Sequence, residues 1–293
     1  MISVIICSIN KALAAQVKRN IDETIGVPYE LILIDNTAIG NGICSVYNEG
    51  ARQAKYDLFC FVHEDVLFQT PNWGKIIAGY FEDDPGLGIA GVAGAKYKSR
   101  TLSGWSNGIS KYDCCSILHI DKDKNQLKIY SNPDPGKKIQ DVITVDGVFI
   151  CASKKAWKMS PFNEDLLRGF HLYDIDFSFS IAKIFKVIVS YEIDIIHLTE
   201  GGDFGNNWVM ETINWHKHNA GHLPLSNVSM TGAEVNKIEK IISKKWLHRL
   251  KGEKISIDKK INWLKLTQSY KHFSLWPHIL VFLLFRLYKR KSK

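Results

Sequence analysis

Apolar and polar positions follow a strand–helix rhythm over the first hundred residues. Ser3-Val4-Ile5-Ile6-Cys7 and Glu30-Leu31-Ile32-Leu33-Ile34-Asp35 read as strands, and Tyr56-Asp57-Leu58-Phe59-Cys60-Phe61-Val62 as a strand buried on both faces. Helical spacing fills the gaps at 12–21, 42–54 and 72–81, and a short strand follows at 88–92. This order predicts an α/β fold: a mainly parallel sheet flanked by helices, with right-handed crossovers. Further on, strands are expected at 114–120 and 126–130, joined by a hairpin turn at Asp121-Lys122-Asp123-Lys124-Asn125. A strand at 142–152 is interrupted by Asp146-Gly147. A helix at 173–185, strand character at 187–196 and a helix at 206–218 complete this part. Past Gly221-His222-Leu223-Pro224 the chain turns Lys-rich and helical. We therefore divide it into residues 1–226, with a first half 1–100 and a second half 101–226, and a helical basic extension 227–293. No internal repeat is visible.

The buried run ending at Val62 stops abruptly in His63-Glu64-Asp65. Three ionisable side chains at the carboxyl end of a central strand are costly unless they bind something. In open α/β sheets that edge is where ligands sit. The triplet therefore suggests a divalent metal holding a phosphate.

Charge changes the picture at the other end. The chain carries a net +8, yet residues 232–293 hold 16 Lys+Arg against 4 Asp+Glu, so the rest is net acidic. The last segment, 273–293, joins an apolar aromatic run from Phe273 to Phe285 to a basic end, Lys289-Arg290-Lys291. The apolar part falls short of the ~20 residues of a bilayer span. It suits an interfacial helix on an anionic membrane surface, a docking helix on the protein's own surface, or a dimer contact through the C-terminal helices. The six cysteines form no C-x-x-C pair, and several sit in apolar strand-like runs. They are expected as buried reduced thiols of a cytoplasmic protein. Met1-Ile2-Ser3-Val4 enters a strand directly, without a signal-peptide pattern.

Other strand ends supply partners for the triplet. The first strand ends in Cys7-Ser8-Ile9-Asn10, with neither G-x-G-x-x-G nor a P-loop after it, so a nucleotide would be held by side chains and strand ends. The second ends in Asp35-Asn36-Thr37, where a carboxylate can accept from a base or ribose, or can simply form a turn.

Residues 43–65 add specificity. Asn48-Glu49-Gly50 lies on the helix before the buried strand, and His63-Glu64-Asp65 follows it. The chain here resembles family-2-like glycosyltransferases of the GT-A fold, in the subgroup with a His-x-Asp variant of the D-x-D motif. Asp35 then matches the base-binding acid, Asn48 and Gly50 the Asn-x-Gly helix, and Asp65 the metal-binding Asp, with His63 in place of the usual first Asp. Downstream, Tyr173-Asp174-Ile175-Asp176 matches the acidic pair that opens a helix. Tyr173 replaces Glu, Asp174 matches the catalytic base, and Asp176 matches a further acidic position. His197, closing Asp194-Ile195-Ile196-His197, matches a metal-binding strand end, and Gly201-Gly202-Asp203-Phe204-Gly205 a loop that closes over the donor. The resemblance spans residues 1–220. It makes 1–100 the nucleotide-sugar half and 101–226 the acceptor half.

The implied reaction is metal-dependent, inverting transfer of a hexosyl group from a nucleotide-sugar, with UDP favoured, to a glycan or lipid-linked glycan in surface polysaccharide synthesis. It would take place on the cytoplasmic face of the cell membrane. Mn²⁺ or Mg²⁺ would be held by Asp65 and His197, which leaves room for phosphates. Asp174 would be the general base; its helix start lowers its pKa and Asp176 raises it. Ser8, Asn10, Asp35, Asn36, Asn48, His63 and Glu64 are assigned to the donor. Glu64 points away from the metal by strand alternation. Asp146, Gly147, His171, Tyr173, Asp176 and Trp208 are assigned to the acceptor or sugar side. Each has a plainer alternative: a bulge at Asp146-Gly147, a helix-start charge at Asp176, core packing at Trp208. Three rivals stand beside this reading. They are a nucleotidyltransferase, which lacks its Gly-rich basic loop after strand one; a catalytically inactive relative; and a polyanion-binding protein. Nucleic acid is not an expected partner.

Overall fold

The computed structural model describes residues 1–38, 40–120, 126–198 and 204–289. In chain order the elements are β1 (Ile2–Ser8), α1 (Lys11–Thr24), β2 (Tyr29–Asp35), α2 (Ile43–Gln53), β3 (Leu58–Val62), β4 (Val66–Phe68), α3 (Trp73–Asp83), β5 (Leu87–Gly91), β6 (Ala93–Ala95) and β7 (Tyr97–Lys98). There follow β8 (Asp113–Ile120), β9 (Gln126–Ser131), β10 (Ile139–Asp141), β11 (Thr144–Val145), β12 (Phe149–Ser153), α4 (Lys154–Met159), α5 (Tyr173–Ile181), β13 (Lys186–Ser190), β14 (Ile195–His197), α6 (Asn206–His218) and β15 (Leu225–Ser226). The extension contributes α7 (Gly232–Leu250), α8 (Ile257–Thr267) and α9 (Trp276–Lys289). The expected turn at 121–125, the glycine-rich part of the loop at 201–203 and the basic end at 290–293 lie outside the described residues.

The main sheet has seven strands in the order β10-β13-β5-β12-β3-β1-β2. β1, β2, β3, β5 and β13 run one way, and β12 and β10 run against them. The sheet is thus mainly parallel, with one reversed strand inserted at its centre. Strand alternation sends β1 and β3 into two cores. Ile5, Phe59 and Phe61 pack with α2 and α5 on one side. Val4, Ile6, Cys60 and Val62 pack with α1 and α3 on the other. Side chains buried on both faces explain why these strands read as unbroken apolar runs.

A second sheet, β11-β6-β8-β14-β4 with β9 on β8, stands at the carboxyl ends of the main strands. The interruption at Asp146-Gly147 is where the chain leaves this sheet at Val145 and joins the main one at Phe149. The extension packs into the same core as α2 and α5: Ile242, Trp246, Leu250, Trp263 and Phe282 are all buried there. Glu239 of α7, itself buried, accepts hydrogen bonds from Tyr97, Ser99 and Thr101 hydroxyls and from backbone N–H groups of Arg100 and Thr101. A buried carboxylate is stable only when satisfied in this way.

One cysteine expectation is overturned. The β3–β12 register sets Cys60 opposite Cys151, and the two are joined in a disulfide. Cys7, Cys44, Cys114 and Cys115 are free. The pairing depends on which strand inserts beside β3, which no local pattern specifies.

Candidate active site

The site grows from strand ends brought together by register. β3 delivers His63 one residue past Val62, and His63 N–H donates to Val148 C=O at the entry to β12. β14 pairs antiparallel with β4, His197 opposite Val66, so Asp65 lies beside His197. The Leu198 N–H donates to the Asp65 carbonyl at 2.9 Å, which fixes that approach. The Asp65 carboxylate reaches His197 Nε2 at 3.2 Å and lies 3.9 Å from His63 Nδ1. One ligand atom from each of His63, Asp65 and His197 falls within 4.8 Å of the others. Two imidazoles and one carboxylate in that space could hold a divalent ion with positions left for phosphate oxygens. His63, assigned from sequence to the donor side, thereby also stands among the residues that could hold the ion.

Tyr173 and Gly147 support this cluster. The Tyr173 hydroxyl lies 2.6 Å from His63 Nε2 and so orients the ring. A Cβ on Gly147 would come within 2.0 Å of that hydroxyl, so the turn needs glycine. Asp174, the next residue, accepts from the Gly147 N–H at 3.0 Å. It stands in the first turn of α5, entered through Leu172 in the left-handed conformation (φ 62°). A leucine held there is a local strain of the kind that clusters at functional sites.

Electrostatics separate the groups. Burial raises the Asp174 pKa to about 7, helped by the negative Asp146 and opposed by backbone N–H donors. The raising neighbour is Asp146, across the turn, and not Asp176 as the sequence suggested. Burial works against charging both histidines. For His63 it wins, and the pKa falls. For His197 the hydrogen bond and charge of Asp65 win, and the pKa rises.

His63, Asp146, Asp174 and His197 line a cleft of about 340 Å³, within the range of small-molecule sites. Of the expected residues, His63, Asp146, Gly147, His171, Tyr173, Asp174, His197 and Trp208 line it. Ser8, Asn10 and Glu64 gather at the neighbouring end of β1. There Glu64 points away from the metal group and accepts from the Ser8 hydroxyl and from the Ile9 and Asn10 N–H groups. Asn10 also caps α1. Asp35 sits beside Ser8 in register and is exposed, with its pKa lowered by the hydroxyl and N–H of Thr37. Asn36 is buried, its amide tied to the backbone of Asn41.

Two assignments are corrected. Asn48 is buried beneath the sheet, where its amide donates to Phe162 C=O and accepts from Phe162 N–H and Trp157 Nε1–H. It fastens α2 to the 157–162 segment, and its amide is occupied by those bonds. Asp176, two residues along the helix from Asp174, points to the opposite side. It is buried, accepting from Trp215 Nε1–H at 2.7 Å, and is not on the sugar side. The cleft also contains residues that the sequence pattern did not single out: Trp105, His119, Phe170, Trp246 and Arg249. His119 shares one face of β8 with Ile117 and Cys115, a period-2 signal that could have found it once β8 was placed on the cleft. Its ring lies 5.2 Å from that of His197.

Residues 3–229 match the glycosyltransferase-like family. The chain belongs to that family. No match was found among curated proteins. Among solved structures, GalNAc-T7, crystallised with UDP, GalNAc and Mn²⁺, aligns with a TM-score of 0.52 at 9% identity over 92% of this chain. It is matched over 54% of its own length, so the present chain spans about half of it, and the likeness shows the fold alone. A197 from STIV aligns at a TM-score of 0.37 and 14% identity, over 67% of this chain and 85% of that one. The α/β architecture is similar to that of GT-A glycosyltransferases. Among the described residues, no helix is long and apolar enough to cross a membrane.

Proposed function

We propose that this glycosyltransferase transfers a hexosyl group with inversion, in a metal-dependent reaction, from a UDP-sugar to a hydroxyl of a glycan or lipid-linked glycan acceptor. The observation that carries the reading is the meeting of His63, Asp65 and His197 at strand ends in the cleft that also holds Asp174. A divalent cation, Mn²⁺ or Mg²⁺, would when bound neutralise the charge developing on the diphosphate leaving group. His63 meets that role as a neutral ring, with Tyr173 fixing its orientation. Asp174 takes the acceptor hydroxyl's proton as the hydroxyl attacks the anomeric carbon from the face opposite the leaving group. One displacement with one base inverts the configuration. Asp35 and Ser8, adjacent at the ends of β2 and β1, offer polar groups to the nucleoside.

We place the enzyme on the inner face of the cell membrane in surface polysaccharide synthesis. Leu275, just before α9, and Ile279 and Phe282 within it pack inward, while Trp276, Leu280, Val281 and Leu284 of the helix are exposed on the outer side. An exposed apolar face on a basic extension suits anionic lipid.

Calorimetric titration with UDP, with and without Mn²⁺, tests the core of the reading. Binding that needs the metal and disappears in Asp65→Ala supports it. Equal binding by Asp65→Ala, or none by the native protein at any metal concentration, refutes it.

A further inference from the structure

The cleft has a second end that the transfer chemistry leaves unexplained. Trp208 of α6 and Trp246 of α7 stack face to face, with centroids 5.0 Å apart and planes 6° from parallel. Phe204 closes edge-on against both rings. The Arg249 guanidinium lies 4.2 Å from the centre of the Phe204 ring and 5.4 Å from that of Trp246. Gly104 meets the same indole: a Cβ there would sit 3.5 Å from Trp246. Trp105 and Arg249 line the cleft with these rings. Among the described residues, Arg249 forms no salt bridge, and Glu253 is the acid that acts on it electrostatically.

This arrangement matches the two faces of a sugar derivative. Trp208 and Trp246 cover each other's faces and are buried, so the partly buried Phe204 beside them offers the apolar surface for the C–H face of a pyranose ring. A guanidinium laid on aromatic rings is oriented, remains charged, and presents its donors in a planar fork suited to carboxylate or phosphate. The phosphates of a donor already have a site of opposite charge among the strand-end ligands. Those ligands come from β3 and β14, whereas the platform comes from α6 and α7.

Resting on the glycosyl-transfer reading, we infer that Trp208, Trp246, Phe204 and Arg249 form an acceptor subsite for a sugar that bears an anionic group. The C-terminal extension thus completes the binding cleft. Arg249 selects charge, Phe204 meets the ring, and the buried indole stack behind them holds both in place. A uronic-acid carboxylate and a sugar phosphate share the required chemistry.

Saturation-transfer NMR on the full-length protein with Mn²⁺ and UDP tests this, using maltose, digalacturonic acid and glucose 1-phosphate as probes. The native protein should take up at least one anionic probe about tenfold better than maltose, and which one does so identifies the source of the charge. Arg249→Gln should erase that preference, and Arg249→Lys should keep part of it. Trp246→Phe should weaken all three probes. UDP affinity should stay unchanged in every variant, which separates this subsite from the donor site. Equal binding of neutral and anionic probes, or of none, overturns the inference while leaving the UDP result standing. So does an Arg249→Gln variant that loses UDP affinity, because it would place the guanidinium on the donor diphosphate.

Discussion

The two ends of the cleft are built by different means. At one end His63 and Asp65 stand one and three residues beyond β3 and His197 closes β14, and sheet register sets their separations. At the other, Trp208 sits on α6 and Trp246 and Arg249 on α7, and helix packing places them. Register is stiff, because a slip of one residue would turn every side chain to the wrong face. Helix packing adjusts more readily, and sequence diverges there at lower cost. The contrast teaches that the chemistry is fixed by the sheet, while specificity is assigned to elements that can change. Substitutions at the first end should therefore alter rate with the fold intact, and those at the second should alter which acceptor is used.

The largest effect is expected at Asp174. Asp174→Asn should lower the transfer rate by about 10²- to 10⁴-fold and leave UDP binding unchanged, as calorimetry beside a UDP-release assay would show. Asp176→Asn on the same helix should keep the rate within about twofold, because its carboxylate serves Trp215. A pH series sharpens the point. The folded-state pKa of Asp174 is raised from 3.8 to about 7, so the folded protein binds the extra proton. Its contribution to stability is full below about pH 4 and is lost as pH rises through about 7. As a base it works only when ionised, so the rate should climb over the upper part of that range. In Asp174→Asn, denaturant midpoints should lose this part of their pH dependence. An unaltered pH profile in the variant would remove Asp174 from both roles.

Next comes the strand pair that carries the first end. Cys60→Ala with Cys151→Ala opens a crosslink between residues 91 apart in sequence, and should cost about 2–4 kcal/mol in urea unfolding. β3 leads into His63 and β12 follows Gly147, so UDP–metal affinity should fall along with stability. Thiol titration of the unreduced, denatured protein should count four cysteines. A count of six would return the pair to the reduced state expected of a cytoplasmic protein.

How legible each end was follows from the same physics. β1 to β3 are apolar runs closed by polar residues, so their ends, and with them Asp65 and the position of His63, could be located directly. His197 closes a shorter run, yet it too ends a strand. Asn48 was misassigned because a polar residue on a helix next to the site can face ligand or core, and only Phe162, over a hundred residues away, decides which. Asp176 failed through periodicity: two residues along a helix is the opposite side. Trp246 and Arg249 were hidden in a Lys-rich helix whose inner face has no marker until Trp208 is seen against it. Cys60 and Cys151 needed the inserted β12, a long-range pairing.

A smaller effect tests whether the sheet end depends on the residues behind it. Tyr173→Phe removes the hydroxyl 2.6 Å from His63 and nothing else. Metal-dependent UDP affinity should fall about tenfold, with the unfolding midpoint nearly unchanged and the acceptor preference retained. Unaltered affinity would leave His63 outside the metal group.

The smallest expected effect links the platform to the membrane. α7 carries Trp246 and Arg249 into the cleft, and it also packs on α9, where His248 meets His278 at 3.0 Å. Lipid bound on the outer face of α9 would thus be joined through α7 to the residues that line the cleft. Deleting residues 273–293 tests this poorly, because Leu275, Ile279 and Phe282 are buried and their loss would uncover Trp263. Leu280→Ser with Leu284→Ser touches only the exposed side. Each should weaken partitioning onto vesicles containing anionic lipid by about 1 kcal/mol. UDP binding and thermal stability should not move. If partitioning is unchanged, the exposed face does not meet lipid, and a second copy of the chain, detected by sedimentation of the native protein against the double variant, becomes the occupant to test.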